Sequence, residues 1–347
     1  MTEKYYAASN SSDGFCSYYN EVFDPSMFSR IYAIKGGSGT GKAFFMKAVA
    51  KAAEKRGFSV RYIYCSSDAS SLDGIVIKEP EIAVLDATAP HIYEPKYIGA
   101  VESLVDLSAF LDEGKLVPRR KEIEALNRQK QIGFECAYRY LRAYHTVCLC
   151  IEKLVKPAVN FDKISHFASR MLRFLEEGNG VTNNLLVRSI GMRGLCSFDT
   201  YYENASVYYE VNDYYDSAHF LISEIFENMK KKNVDVNISR NPIIPARIDA
   251  LATLKEGLTF EISNGMNEDV RTINMKRFVD GKKISAVRSE YRAAARIRDE
   301  ALCLAMERFE MIKGYHFELE KIYGEAMDFE AKEKYTEEFC NKIFEMN

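Results

Sequence analysis

Apolar positions change rhythm along the chain, and each change predicts a different element. A short run, Ile31-Tyr32-Ala33-Ile34, breaks into glycines and then into the helix-forming segment Ala43 to Glu54, which predicts a strand, a tight turn and a helix. Arg56-Gly57 stops that helix. Phe58 to Tyr64 follows with Val60, Tyr62 and Tyr64 alternating, the period-two signature of a second strand. Ile82-Ala83-Val84-Leu85 reads as a third strand and ends on Asp86. Strand, helix, strand, turn, strand predicts an α/β fold with a mainly parallel sheet.

From about Pro118 to Lys156 the period becomes helical. Ile123, Leu126, Phe134, Ala137, Tyr138, Leu141, Cys148 and Val155 recur on one face with Lys and Arg elsewhere, predicting one long amphipathic helix. A further helix is expected from Asp162 to Glu177, and Glu176-Glu177-Gly178-Asn179-Gly180 reads as a linker. Long helices return from Lys283 to Phe344, with Tyr291, Ala294, Ala301, Leu304 and Ile312 on one face.

The linker divides the chain into residues 1–178 and 179–347, and the second part repeats the first in degenerate form. Gly14-Phe15-Cys16-Ser17-Tyr18 matches Gly194-Leu195-Cys196-Ser197-Phe198. Phe45-Met46 through Val60 runs like Phe220-Leu221 through Val236, and Ser71-Leu72-Asp73 falls on Arg247-Ile248-Asp249. Phe110-Leu111-Asp112 falls on Phe278-Val279-Asp280, and both lead into a long helix. The order is preserved while the spacing shrinks, as loop deletions in a duplicated domain would leave it.

Composition narrows the setting. With 347 residues, 47% of them hydrophobic, two cores can be built. A formal charge of −3 and a pI near 6.1 argue against nucleic acid or acidic lipid as partner. Eight cysteines without a CxxC pair suit reduced thiols and a cytoplasmic location. Neither an apolar signal core at Met1 to Tyr6 nor an apolar run of about 18 residues is present, so an unprocessed chain outside the membrane is expected.

The chemistry concentrates in Gly36-Gly37-Ser38-Gly39-Thr40-Gly41-Lys42-Ala43. Gly36, Gly41 and Lys42 fill G-x-x-x-x-G-K at a strand-to-helix handover, the setting of a P-loop, whose backbone amides and lysine cradle phosphates. Ala43 stands where Ser or Thr ordinarily holds Mg²⁺, so that ligand would fall to water. Asp86, ending an apolar strand, is the candidate Mg²⁺ ligand or, alternatively, a turn cap. Asp68 and Asp73 are placed just beyond the second strand, where either could grip the metal, orient a nucleophile or cap a helix; Ser66 and Ser67 share that position. His91 could act as acid or base near the sheet edge, or be a loop histidine bonded to backbone. His145, His166, His219 and His316 read as packed histidines. Arg119-Arg120-Lys121 is a kinase-like lid or, more simply, a solvated cluster. In the second part the corresponding stretch, Val211 to His219, has no glycine or lysine and carries two aspartates, which would repel phosphate.

Several of these segments together resemble a bacterial family of poorly characterised tandem P-loop ATPases. They are Gly14-Phe15, Lys35 to Lys42, Tyr64-Cys65-Ser66-Ser67-Asp68 with Ser71-Leu72-Asp73-Gly74, and Thr88-Ala89-Pro90-His91 with Glu94-Pro95-Lys96-Tyr97 and Gly99-Ala100-Val101. The resemblance covers most of the first 145 residues and the second half weakly. It implies duplicated P-loop domains with ATP as ligand and leaves the substrate open. Ala43 and the lost second loop depart from it.

Two functions are therefore expected as alternatives. One is an ATP-binding P-loop NTPase, an ATPase hydrolase or a kinase-like phosphotransferase, with Lys42, Asp86, Asp68 and His91 as catalytic candidates and Asp86 and Asp68 as metal candidates. The other is a nucleotide-binding pseudo-ATPase that acts as a switch for an unidentified small-molecule or protein partner.

Overall fold

The computed structural model describes residues 3–91, 93–263 and 270–344. The first half contributes β1 (Glu3–Tyr6), the hairpin β2 (Ala8–Ser11) and β3 (Gly14–Ser17), and a single-turn helix α1 (Tyr19–Val22). Then come β4 (Arg30–Lys35), α2 (Lys42–Lys55), β5 (Val60–Tyr64), β6 (Leu72–Ile77), β7 (Ile82–Asp86) and β8 (Glu102–Asp106). A short α3 (Glu113–Leu116), the long α4 (Arg120–Val155) and α5 (Phe161–Met171) close it.

The sheet runs β1-β5-β6-β7-β4-β8. Its strands are parallel except β6, which is antiparallel to β5 and β7. The strand expected over 58–64 and that over 82–85 are both present. Leu72–Ile77 has no clear strand signature, because Asp73 and Gly74 interrupt its apolar run; all six residues are nevertheless buried. Asp73 therefore lies within a strand of the sheet, not in a loop beyond β5. On α2, Phe45, Met46, Val49, Ala50 and Ala53 are buried, the helical spacing that lays one stripe on the sheet. The helix stops at Arg56, and Gly57 turns the chain with φ of 87°.

The second half supplies β9 (Thr182–Asn184), the hairpin β10 (Arg188–Gly191) and β11 (Gly194–Ser197), α6 (Thr200–Glu203), β12 (Val207–Asn212) and α7 (Ala218–Lys231). After these follow β13 (Val236–Arg240), β14 (Ile248–Thr253), β15 (Leu258–Ser263), β16 (Arg271–Asn274), α8 (Gly281–Glu325) and α9 (Phe329–Lys342). Read from β9, its sheet runs β9-β13-β14-β15-β12-β16. That is the first sheet's order strand for strand, with β14 antiparallel to its neighbours as β6 is.

The halves are joined by reciprocal contacts. Tyr6 N–H donates to Leu186 O (2.7 Å), and Leu186 N–H donates to Tyr6 O (3.1 Å). Helices α4 and α8 pack as an antiparallel pair. Arg119 meets Glu325 at one end (2.8 Å), and the Lys283 ammonium donates to Pro157 O at the other (3.0 Å). The last helices are exchanged: α5 packs on α7 of the second half, and α9 packs on α2 of the first, where the Phe339 and Phe45 rings lie 4.9 Å apart. Matching hydrogen bonds pin both crossovers, from Asp112 N–H to Ala326 O and from Asp280 N–H to Ala158 O, each 2.8 Å. Among the described residues, no helix is long and apolar enough to cross a membrane.

Candidate functional site

The glycine-rich turn links β4 to α2. Gly39 and Gly41 have φ of 73° and 79°, the left-handed region that disfavours a side chain. Packing adds a second reason. A Cβ on Gly39 would come within 2.5 Å of the Glu320 carbonyl on α8, and one on Gly41 within 2.7 Å of the Lys332 ammonium on α9. Among the described residues no side chain caps the N-terminus of α2, which leaves its first amides and the positive end of the helix open to an anion. The Lys42 ammonium folds back over the turn. It donates to Gly36 O (2.9 Å) and Gly37 O (2.8 Å) and lies 3.5 Å from an Asp86 carboxylate oxygen.

Asp86 ends β7 beside this turn. Its carboxylate accepts the Thr88 N–H (2.8 Å), and the Thr88 hydroxyl donates to Gly36 O (3.0 Å), which ties the two loops together. Burial pushes the Asp86 carboxyl above its ordinary pKa; Lys42 opposes this and Asp73 adds to it.

His91 is buried with Nε2 3.0 Å from the Asp73 carboxylate, its ring stacked on Tyr19 and edge-on to Phe15. Burial alone would lower its pKa, but the Asp73 carboxylate outweighs that and holds it above the usual histidine value. Cys65, ending β5's run, approaches the same pair; burial and Asp73 together hold its thiol well above the ordinary range.

Asp68 lines the same cavity, but its carboxylate is engaged by the Arg193 guanidinium from the second half and by Ser70. Burial works against its ionisation. The hydrogen bonds from Arg193 and Ser70 nonetheless hold its pKa below the ordinary carboxylate value. Ser66 and Ser67 face the second hairpin, where Ser67 O accepts the Met192 N–H (2.8 Å). The structure thus gathers the turn, Asp86, His91, Asp73 and Cys65 at one place and turns Asp68 toward a different partner.

A cavity of about 730 Å³ lies over the turn. Its far wall comes from the long helices, through Lys130, Phe134 and Tyr138 on α4 and His316 and Glu320 on α8. Lys130 approaches His316 Nδ1 (3.3 Å), and His316 Nε2 lies 3.4 Å from Glu320. Burial lowers the Lys130 pKa, with Glu320 opposing. Lys332 is only 2% exposed, its ammonium resting over the Phe44 and Phe329 rings, and burial lowers its pKa as well.

None of these helix residues was singled out for chemistry from the sequence, and His316 was read there as a packed histidine. Lys332 left one signal: it falls in helical register with Tyr335 and Phe339, a lysine on a buried stripe. Arg119 and Arg120 pair with Glu122 and Glu124 in solvent, as the simpler reading had it. His145 meets the Ser12 hydroxyl (3.0 Å), and His166 lies 3.1 Å from a carbonyl of its own helix.

The equivalent turn of the second half is closed on itself. One Asp213 oxygen accepts the Ala218 N–H at the start of α7 (2.8 Å), and the other accepts the Asp216 N–H (3.0 Å). Asp216 is in turn held by Arg298 and the Tyr291 hydroxyl. A carboxylate of the chain itself occupies the first amide of α7, a position that α2 leaves free.

The sequence matches no protein-family model, and neither a curated protein nor a solved structure matches it.

Proposed function

We propose that this chain is an ATP-binding P-loop NTPase with one phosphate site, the turn Gly36 to Ala43, in a duplicated architecture whose second copy has lost its loop. The observation that carries the reading is the uncapped α2 N-terminus behind a glycine turn, with Lys42 folded across it. Free amides, a helix dipole and a lysine ammonium at one point are what a polyphosphate needs. The matching strand orders of the two sheets support duplication. The Asp213 carboxylate on the α7 amides supports loss of the second site.

On ATP binding, Lys42 leaves the Gly36 and Gly37 carbonyls for phosphate oxygens. The cavity over the turn lies within the ~300–1,000 Å³ usual for small-molecule sites. Mg²⁺, which would neutralise phosphate charge, has a fitting residue in Asp86 at the cavity wall. Ala43 offers no second oxygen, so water takes that place. The reaction is hydrolysis of ATP or transfer of its γ-phosphate to an acceptor, with Asp86 and His91 as the groups that hold or move a proton. Asp68 serves as a latch to Arg193 in this account, in place of a metal ligand.

Ala43 favours a second reading in which nucleotide is bound without turnover. Helices α8 and α9 touch the glycines of the loop, so occupancy would be felt by elements that also pack on the other half. Calorimetric ATP binding and phosphate release, measured for the native chain and for Ala43→Ser, separate the two. Turnover by the native chain supports the enzyme. Turnover only by Ala43→Ser supports the switch, and binding by neither removes both.

A further inference from the structure

Beside the phosphate turn lies a second constellation, made of Cys65 after β5, Asp73 on β6 and His91 after β7. One ligand atom from each lies within 4.8 Å of the others, and no other His, Cys, Asp and Glu group of three or more among the described residues is so arranged. Asp73 and His91 are 3% and 4% exposed. Asp73 Oδ2 faces His91 Nε2 at 3.0 Å, and the other imidazole nitrogen, Nδ1, is buried without a hydrogen-bond partner among the described residues. Buried polar atoms left unpaired are costly, and a missing ligand is one way such a site is completed.

We infer that Cys65, Asp73 and His91 form a binding site for a thiophilic divalent cation, zinc in particular, separate from any Mg²⁺ held at Asp86; with that ion bound His91 is a ligand, and proton transfer falls to Asp86. The donor set decides the class: one sulfur, one imidazole nitrogen and one carboxylate oxygen suit zinc and are foreign to Mg²⁺ or Ca²⁺. Bonds of about 2.0–2.3 Å to a tetrahedral zinc place ligand atoms roughly 3.3–3.8 Å apart, so the triangle closes by small side-chain rotations. The Asp73–His91 edge is already shorter than that.

All three residues line the cavity, so the fourth position opens toward it and takes water or a ligand group. Tyr19 and Phe15 fix the imidazole plane, and the Tyr19 hydroxyl holds the Asp73 backbone carbonyl at 2.6 Å, the kind of outer support that metal ligands have. A nucleophilic triad fits less well. The Asp73 carboxylate faces both the imidazole and the thiol, whereas a Cys–His nucleophile needs the imidazole on the thiol. Binding releases the Cys65 thiol proton to solvent.

The site does not rest on the ATP reading and is tested without nucleotide. The full chain, stripped with a chelator and titrated with Co²⁺, is expected to bind one ion per chain with a thiolate-to-cobalt charge-transfer band, and Zn²⁺ should displace it. Cys65→Ser should abolish the band, Cys340→Ser should keep it, and His91→Ala should weaken binding ~10-fold or more. Lys42→Ala should leave it intact, so loss of ATP binding and loss of metal binding are told apart. Cooperative melting of each variant checks its fold. A native chain that binds no Co²⁺, or a band that survives Cys65→Ser, overturns the assignment whether or not any variant folds.

Discussion

The ammonium of Lys332, on the last helix, lies 2.7 Å from the point where a Cβ on Gly41 would sit, so that helix packs directly on the glycine turn. Gly41 also has φ of 79°. Gly41→Ala is therefore expected to cost about 1–2 kcal/mol of stability and to weaken ATP binding. Denaturant unfolding and nucleotide titration on the same preparation check both.

Lys332→Met tests the partner. A buried ammonium with aromatic faces around it is costly to keep, so the variant should be as stable as the native chain or more so. If the charge serves the phosphates, ATP affinity should fall by about tenfold, or ~1.4 kcal/mol. Unchanged affinity would leave Lys332 as packing alone.

How much of this was legible in the sequence depends on the range of each interaction. The turn from Gly36 to Lys42, the long helix ending at Val155 and the strands at 58–64 and 82–85 are local patterns, and all could be read. The parallel courses of 45–60 and 220–236 were legible as well, and they fall on matching helix–strand pairs. Strand β6 was not, since Asp73 and Gly74 break its apolar run and only burial between β5 and β7 makes it a strand. The helix expected from Asp162 to Glu177 is shorter, running Phe161–Met171 with its C-cap at Leu172. Arg193 against Asp68, Lys130 and His316 at the cavity wall, and Lys332 against Gly41 come from distant segments that only the exchanged helices and paired hairpins bring together. No local period encodes that.

The Asp68–Arg193 pair joins the halves and makes stability depend on pH. The folded state holds the Asp68 carboxyl below its unfolded value, so its contribution is present above the ordinary carboxylate pKa and is lost as pH falls through the folded one. Arg193 is partly exposed, so solvent screens the pair and about 1 kcal/mol is the expected size. Asp68→Asn should lower urea stability by that amount at pH 7 and make little difference near pH ~2. An equal deficit at both values would assign the loss to packing.

Two glycines give opposite expectations. At Gly191 a Cβ would meet the Ser66 carbonyl at 2.3 Å, and a backbone group cannot swing aside, so Gly191→Ala should cost about 1–3 kcal/mol. At Gly314, inside α8, no described residue lies within 4 Å of the added carbon. Gly314→Ala should therefore stabilise by about 0.4–1 kcal/mol. Thermal melts of the two variants beside the native chain read both signs at once.

Calorimetric titration with Mg·ATP tests whether Lys42 and the open α2 N-terminus form one nucleotide site per chain. Saturation is expected at one ATP per chain, with loss of that binding in Lys42→Ala and the fold intact. Two ATP per chain, or a Lys42→Ala chain that binds as tightly as the native one, would contradict it.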